Sequence, residues 1–421
     1  MNVKTTFHYS IYYSYNNCQD KIGIHIFLRI KNHFIFKGYF YLKNTLYETI
    51  LIKIIPFFGK LLYYIISNIK FLTSMSEPMR LIGSGRYSIV TSPGILQPKS
   101  WDIPYINKKD NDVFKIFYSD ESKEDYEEET KILSNIMKIP NYDTFTAEVK
   151  GACVVYIQDI SSEIMQVLLK YNTNILKQEK IYQIVYGFCG TNLHKANLQK
   201  MKYCDWLKII RDFLKGIQTI HENGIVHRDI TPSNVLYDDV SKSLKLIDFG
   251  IGIDAGSVFD NKEDALFVLS NMYKFSPPEF YLAYLIHLHQ SNEISFNIAF
   301  KQAFNSLKQN TRLLRKFYKH HSWNYEIDIS SYMKGFEDIE KEFDLEKVAC
   351  VNDMFPVEIA YKSDVYAISI ILKYLKPFII FNGLYDKQHF DFMIDKSNSF
   401  NPFQRISINE LIMHIEKKLT I

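Results

Sequence analysis

The chain has few cysteines, and they form no pattern. They stand at Cys18, Cys153, Cys189, Cys204 and Cys350, with no C-x-x-C pair. That excludes a disulfide framework and a zinc site of paired ligands, and it predicts a reducing, cytoplasmic setting. Long uncharged apolar runs are also missing. The first twenty residues hold nothing like the apolar core of a secretory signal. The most apolar stretch, residues 50–72, is interrupted by Lys53, Pro56, Lys60 and Lys70. A spanning helix needs about 20 nearly uncharged residues, so this stretch suits membrane-surface contact better than a span. A strong net charge is lacking too. The formal balance is only +3, and no nucleic-acid partner is expected. Internal repeats and low-complexity tracts are absent, which excludes solenoids and tail-like chains.

What is present is ordinary globular material. With 421 residues, 47% hydrophobic and 23% charged, the chain can bury a sizeable core in two or three units. Its charge is uneven. Residues 1–74 carry nine Lys and Arg against Asp20 and Glu48, so the remainder is net acidic. From Leu81 onward the pattern changes. Residues 88–91 and 112–118 read as strands, 121–137 as a helix with an acidic start, and 180–187 as a buried strand. Residues 205–223 have helical periodicity, with Trp206, Ile209, Ile210, Phe213, Leu214 and Ile217 on one face. Residues 365–375 read as a buried helix and 409–419 as an amphipathic one.

Two polar motifs carry the chemistry. His227-Arg228-Asp229-Ile230-Thr231-Pro232-Ser233-Asn234 is followed closely by Asp248-Phe249-Gly250. Phosphoryl transfer needs positioning and charge neutralisation more than covalent chemistry. Asp229 offers a carboxylate to orient an attacking hydroxyl. Asn234 and Asp248 offer the hard oxygens that magnesium prefers. In this order and spacing the motifs resemble the catalytic and magnesium loops of the eukaryotic-type protein kinase family.

The resemblance implies an α+β, bilobal fold with a small β-rich N-lobe and a larger helical C-lobe, using ATP and Mg2+ on a protein substrate. It implies an N-lobe over residues 75–188 and a C-lobe over 189–421. Gly83, Ser84 and Gly85 resemble the phosphate-covering glycine loop, with Ser88 where the family has a third glycine. Lys115 matches the strand lysine that holds the α- and β-phosphates. Glu129 matches the helix glutamate that orients it, with Glu127 and Glu128 as adjacent rivals. By register, Val185 is expected at the back of the adenine pocket, with Tyr186, Gly187 and Phe188 as the hinge. Val90, Val113 and Leu236 are expected to touch the ring, and Asn192 falls near the ribose. Pro277-Pro278-Glu279, Lys362-Ser363-Asp364-Val365-Tyr366 and Arg405 match scaffold motifs, Glu279 being expected to pair with Arg405.

The departures concern the acceptor site and the C-lobe. Thr231 stands where Ser/Thr kinases of the family carry a lysine, and Asn271-Met272-Tyr273 where they carry a threonine. Glu279 and Asp364 are separated by 84 residues instead of a short connection. Within this insert, at about 283–360, residues 295–321 are basic and 328–346 acidic, both helix-like. They read as a self-packed hairpin, or else as a docking site. Residues 377–400 look too short for the usual set of helices. Such trimming and the A/T-driven composition resemble kinases of large DNA viruses, which would place the protein in host cytoplasm or virion.

The expected activity is Ser/Thr-directed protein phosphorylation. The rival is a pseudokinase scaffold, disfavoured because Lys115, Asp229, Asn234 and Asp248 are all present. Ser257, Ser270 and Tyr273 are the candidate activating phosphosites. Residues 1–74 are expected to be dispensable. They read either as a membrane-surface anchor or as sequence outside the natural product, since a compact kinase could begin at Met75.

Overall fold

The protein's structure, a computed structural model, describes residues 7–16, 21–30, 33–43, 80–84, 88–92, 101–106, 109, 111–118, 122–160, 162–170, 175, 177–255 and 356–420, with scattered positions between 277 and 341. The chain divides after Pro78 into two compact units. The first holds a three-stranded antiparallel meander of β1 (Phe7–Asn16), β2 (Lys21–Ile30) and β3 (His33–Lys43), in that order. Tyr, Phe and Ile dominate these segments, and such residues favour strands. The 50–72 stretch lies outside the described residues. Among those described, no helix is long and apolar enough to cross a membrane.

The second unit opens with a five-stranded antiparallel sheet. It comprises β4 (Arg80–Ser84), β5 (Ser88–Ser92), β6 (Val113–Phe117), β7 (Val149–Tyr156) and β8 (Lys180–Tyr186), in the order β4-β5-β6-β8-β7. Helix α1 (Ser122–Ile136) packs on one face. Its acidic first turn suits the helix dipole, and Tyr126, Glu129, Ile132, Leu133 and Ile136 repeat along its buried stripe. The opposite face is covered as well. Ile89, Ile116, Cys153, Val155 and Ile181 pack with Leu168 of α2 (Ser162–Leu169) and with Ile175. The sheet is therefore buried on both sides, which explains the runs of consecutive apolar residues in β7 and β8.

The larger lobe is helical around α3 (Tyr203–Glu222), whose buried side carries Trp206, Ile210, Phe213, Leu214 and Ile217. Short strands border the cleft between the lobes. β9 (Thr191–Asn192), β12 (Val235–Asp238) and β13 (Ser243–Leu246) form one small sheet, and β11 (Ile225–Val226) pairs with β14 (Ile253–Asp254). β10 (Met201–Lys202) pairs in parallel with β15 (Ile379–Ile380). Helix α4 (Val357–Leu375) runs through the lobe's centre. It starts eight residues before the predicted 365 and takes Lys362, Ser363 and Asp364 into its body. A single helix, α5 (Leu384–Ser397), stands in the shortened region, followed by α6 (Ile408–Leu419). Ser407 and Glu410 close a reciprocal capping box at the start of α6. Of the insert's basic and acidic stretches, residues 298–302, 305, 334, 337, 338 and 341 are helical, and the rest of both stretches lies outside the described residues.

Glu279 and Arg405 make the expected pair. It is bidentate, at 2.6 and 3.0 Å, and both side chains are wholly buried. The guanidinium also donates to the carbonyls of Ser399 and Lys362 and lies over the Tyr366 ring. Removing one partner of a buried, hydrogen-bonded pair leaves an uncompensated charge, at a cost of about 3–5 kcal/mol. Arg405→Met is therefore expected to lower the free energy of unfolding by about that amount in urea titration. Adding Glu279→Gln to it should restore part of the loss, because the stranded charge is gone.

Candidate functional site

The cleft is organised around one ammonium group. Lys115 projects from β6, on the face shared with Val113 and Phe117. Its Nζ lies 2.5 Å from Glu129 Oε2 and 2.7 Å from Asp248 Oδ1. Burial works against the charge of Lys115, but the carboxylates of Asp248 and Glu129 outweigh it and hold the pKa above the usual lysine range. Glu129 is fully buried, whereas Glu127 and Glu128 are exposed, so Glu129 is the member of the acidic run turned inward. Asp248 is 43% exposed along its side chain and opens onto the cleft. Its backbone sits at φ +68, a conformation uncommon outside glycine. Gly250 lies against the cluster, since a Cβ there would stand 3.3 Å from Asp248 Oδ1 and 3.4 Å from Glu129 Oε2.

The catalytic-loop residues are fixed from beneath. Asp364 of α4 accepts the backbone N–H groups of His227 and Arg228, and a bond from the His221 ring, all at 2.9 Å. Arg228 is the second strained residue, at φ +68, and these bonds hold it there. The His227 ring bonds the Ile247 carbonyl and packs edge-on against Phe249, joining the two motif loops. Asn234 donates to both the backbone carbonyl and Oδ2 of Asp229, at 3.0 and 2.7 Å. Burial first, and then the nearby charge of Asp248, push Asp229 up to about 7. Thr231 is 6% exposed, and its carbonyl accepts from the amides of Asn234 and Val235, so it serves the turn itself.

The donors present suit a hard cation. With its Nδ2 spent on Asp229, Asn234 has its amide oxygen left as a ligand, and Asp248 has its second carboxylate oxygen. Among the described residues no group of three or more His, Cys, Asp or Glu is arranged to hold a metal alone. Two oxygen ligands completed by phosphate and water is how magnesium is usually bound.

The nucleotide-side residues fall as follows. Gly83 is the last residue but one of β4, and among the described residues a Cβ there would meet only Val90, at 4.0 Å, so none of them demands glycine. Ser84 closes the same strand, and Gly85 lies outside the described residues. Val90, Val113 and Leu236 are half-buried, and Val90 and Val113 share the cleft face of the sheet with Lys115. Gly187 donates to the Glu148 carbonyl, and a side chain there would meet the Glu148 carboxylate at 3.1 Å and the Lys150 stem at 3.2 Å. That lysine is itself buried and paired with Asp112 at 2.8 Å.

Val185 does not close the pocket. It pairs with Phe114, and both belong to the outer face of the sheet. Tyr186 pairs with Val113 and takes the cleft position, its hydroxyl donating to Glu129 Oε1 at 2.7 Å. The hinge backbone therefore starts at Gly187. In the stretch Ile181-Tyr182-Gln183-Ile184-Val185-Tyr186 both faces are buried, so no polar alternation marks the register. Lys195 escaped sequence reading altogether. Its Nζ donates to the Ile82 carbonyl at 2.9 Å, reaching from beyond the hinge to the strand before the glycine turn. A lysine in a polar loop gives no signal of that.

Comparison with known proteins agrees with this geometry. A family described as "Protein kinase domain" matches residues 156–280. The match contains Asp229, Asn234 and Asp248 but not Lys115 or Glu129, which only the fold brings to the same cleft. A probable serine/threonine-protein kinase of Dictyostelium discoideum, fnkB, is 27% identical over 154 residues, 31% of this chain and 28% of that one. A probable casein kinase II subunit alpha homolog of Encephalitozoon cuniculi is 29% identical over 97 residues, 23% of this chain and 30% of its own. The serine/threonine-protein kinase ELM1 of Saccharomyces cerevisiae is 51% identical over 43 residues, 10% of this chain and 7% of that protein. In each case the match spans under a third of the relative's length.

The support of the catalytic loop by Asp364 is open to test. Asp364→Asn keeps the shape but removes one acceptor oxygen, so a buried N–H loses its partner at about 1–3 kcal/mol. Denaturant unfolding should show a loss of that size, and amide exchange should quicken at His227 and Arg228. Unchanged exchange there would mean that the strained turn holds itself.

Proposed function

The chain belongs to the eukaryotic-type protein kinase superfamily, and from that premise we propose that it transfers the γ-phosphoryl group of ATP to serine or threonine hydroxyls of a protein. The observation that carries this reading is the convergence of Lys115, Glu129 and Asp248 on one ion-paired cluster, with Asp229 near enough to feel the charges of Asp248 and Lys115. A phosphoryl-transfer site needs a cation for the α- and β-phosphates, an orienting group for the hydroxyl, and oxygen ligands for metal. Lys115 supplies the first, fixed by Glu129. Asp229 supplies the second, taking the acceptor's proton as the new O–P bond forms and the bond from the γ-phosphorus to the β,γ-bridging oxygen breaks, releasing ADP. Asn234 and Asp248 would hold Mg2+, which when bound neutralises charge on the phosphates. Val90, Val113 and Leu236 offer apolar contacts to a base, and the backbone from Gly187 onward offers its edge hydrogen bonds.

Serine and threonine are preferred as acceptors because the relatives quoted are named as serine/threonine kinases or a casein kinase subunit. The buried Thr231 means that the lysine expected of such enzymes is replaced by a residue that serves the loop. Candidate phosphosites Ser257, Ser270 and Tyr273, and the segment Asn271-Met272-Tyr273, lie outside the described residues.

The test is transfer of labelled phosphate from ATP to a mixed protein substrate by the full chain. Asp248→Asn is expected to lower transfer at least a hundredfold with little change in thermal unfolding, since it removes a metal-facing charge and keeps the shape. Transfer kept within tenfold would remove Asp248 from the site. Lys115→Met is expected to lower kcat at saturating ATP. A near-wild-type rate would return Lys115 to a structural role. Phosphoamino-acid analysis should find phosphoserine or phosphothreonine, and dominance of phosphotyrosine would overturn the acceptor assignment.

A further inference from the structure

Glu129 is held by two donors, and only one of them is the lysine. Its Oε2 takes Lys115, while its Oε1 takes the hydroxyl of Tyr186 at 2.7 Å. The carboxylate has no solvent exposure, so each oxygen depends on its protein partner. Tyr186 is the last residue of β8 and lies on the cleft face opposite Val113. Its far side is pinned, because Gly187 donates directly to the Glu148 carbonyl and a side chain at Gly187 would press on Glu148 and Lys150. The ring is stiff, with two rotatable bonds, and it spans from the hinge end of the sheet to the middle of α1. Burial first, and the adjacent Glu129 charge second, push the phenol well above its usual pKa, so the hydroxyl keeps its proton and donates.

We propose that Tyr186 is a positioning residue, whose hydroxyl locks Glu129, and with it α1, so that Lys115 is aimed at the phosphates from the hinge side. The proposal rests on the kinase reading above. Glu129 without this bond could rotate about its own side-chain torsions while still touching Lys115. With it, the carboxylate plane is set at both ends. The alignment of Lys115 is then held from within the small lobe by Glu129 as well as by Asp248 from across the cleft. A group acting this way changes how well the phosphates are aligned in the transition state more than how tightly the nucleotide is held.

Steady-state kinetics of the full chain test this. Tyr186→Phe keeps the ring and deletes the hydroxyl. It is expected to lower kcat roughly ten- to a hundredfold, the range of one lost hydrogen bond to a charged group, with KM for ATP within about threefold. In a Glu129→Ala background the same substitution should have no further effect, because the group it acts through is absent. Wild-type kcat in Tyr186→Phe overturns the proposal, and so does a loss that persists undiminished beside Glu129→Ala. A lowered melting temperature with unchanged kcat also overturns it, since the hydroxyl would then serve stability alone. Wild-type protein that transfers no phosphate overturns the kinase reading itself, and the proposal with it.

Discussion

Everything in the cleft is arranged around a lysine ammonium that has two carboxylates for company. Glu129 and Asp248 together carry one negative charge more than Lys115 can balance. Asp229 stands nearby, its pKa raised first by burial and then by the charge of Asp248. A site with surplus negative charge at low dielectric is poised to take up positive charge, and a divalent cation beside Asn234 and Asp248 is the natural complement. The cluster also explains why Asp248 sits at positive φ. In that conformation its carboxylate faces Lys115 while Phe249 packs into the core against His227. The strain at Asp248 is held by contacts on both sides.

The scaffold beneath follows the same rule of burying charge only where it is fully partnered. Arg405 with Glu279, Lys150 with Asp112, and Asp364 with the amides of the catalytic loop are all nearly free of solvent. Buried pairs of this kind are weak sources of net stability, because desolvation offsets the attraction. Their geometry is another matter. Each joins segments far apart in sequence. Arg405 ties the end of the activation segment to the loop before α6. Lys150 ties the start of β6 to the strand beside the hinge. Asp364 holds the strained backbone of the catalytic loop through two of its amides. Directional contacts fix relative positions in a way that apolar packing alone does not.

How much of this was legible depended on where chemistry and periodicity coincide. The loops bearing Asp229, Asn234 and Asp248 could be read because polar residues at fixed spacing between apolar runs have few structural explanations. Helix α3 could be read because one face is apolar and the other wet. The front of α4 was legible only through the family resemblance of Lys362-Ser363-Asp364-Val365-Tyr366, because its polar residues break the apolar pattern; Ser363 bonds back to the Ala360 carbonyl and Asp364 turns to the catalytic loop. Strand β7 and helix α2 went unread, and Val185 was assigned the face that Tyr186 occupies.

Those last failures share one cause, and it bears on function. Ile157, Ile160, Leu168 and Ile175 pack on the outer face of the small-lobe sheet, so β6, β7 and β8 have apolar neighbours on both sides. A strand buried on both faces loses the alternation by which register is read. The same covering gives the sheet two cores, one against α1 and one against α2. A sheet gripped from both faces moves less than one gripped from one. Lys115, Val113 and Tyr186 all stand on its inner face, so their mutual positions are set by the sheet. The feature that hid Tyr186 from sequence reading is thus the one that makes it a firm support for Glu129.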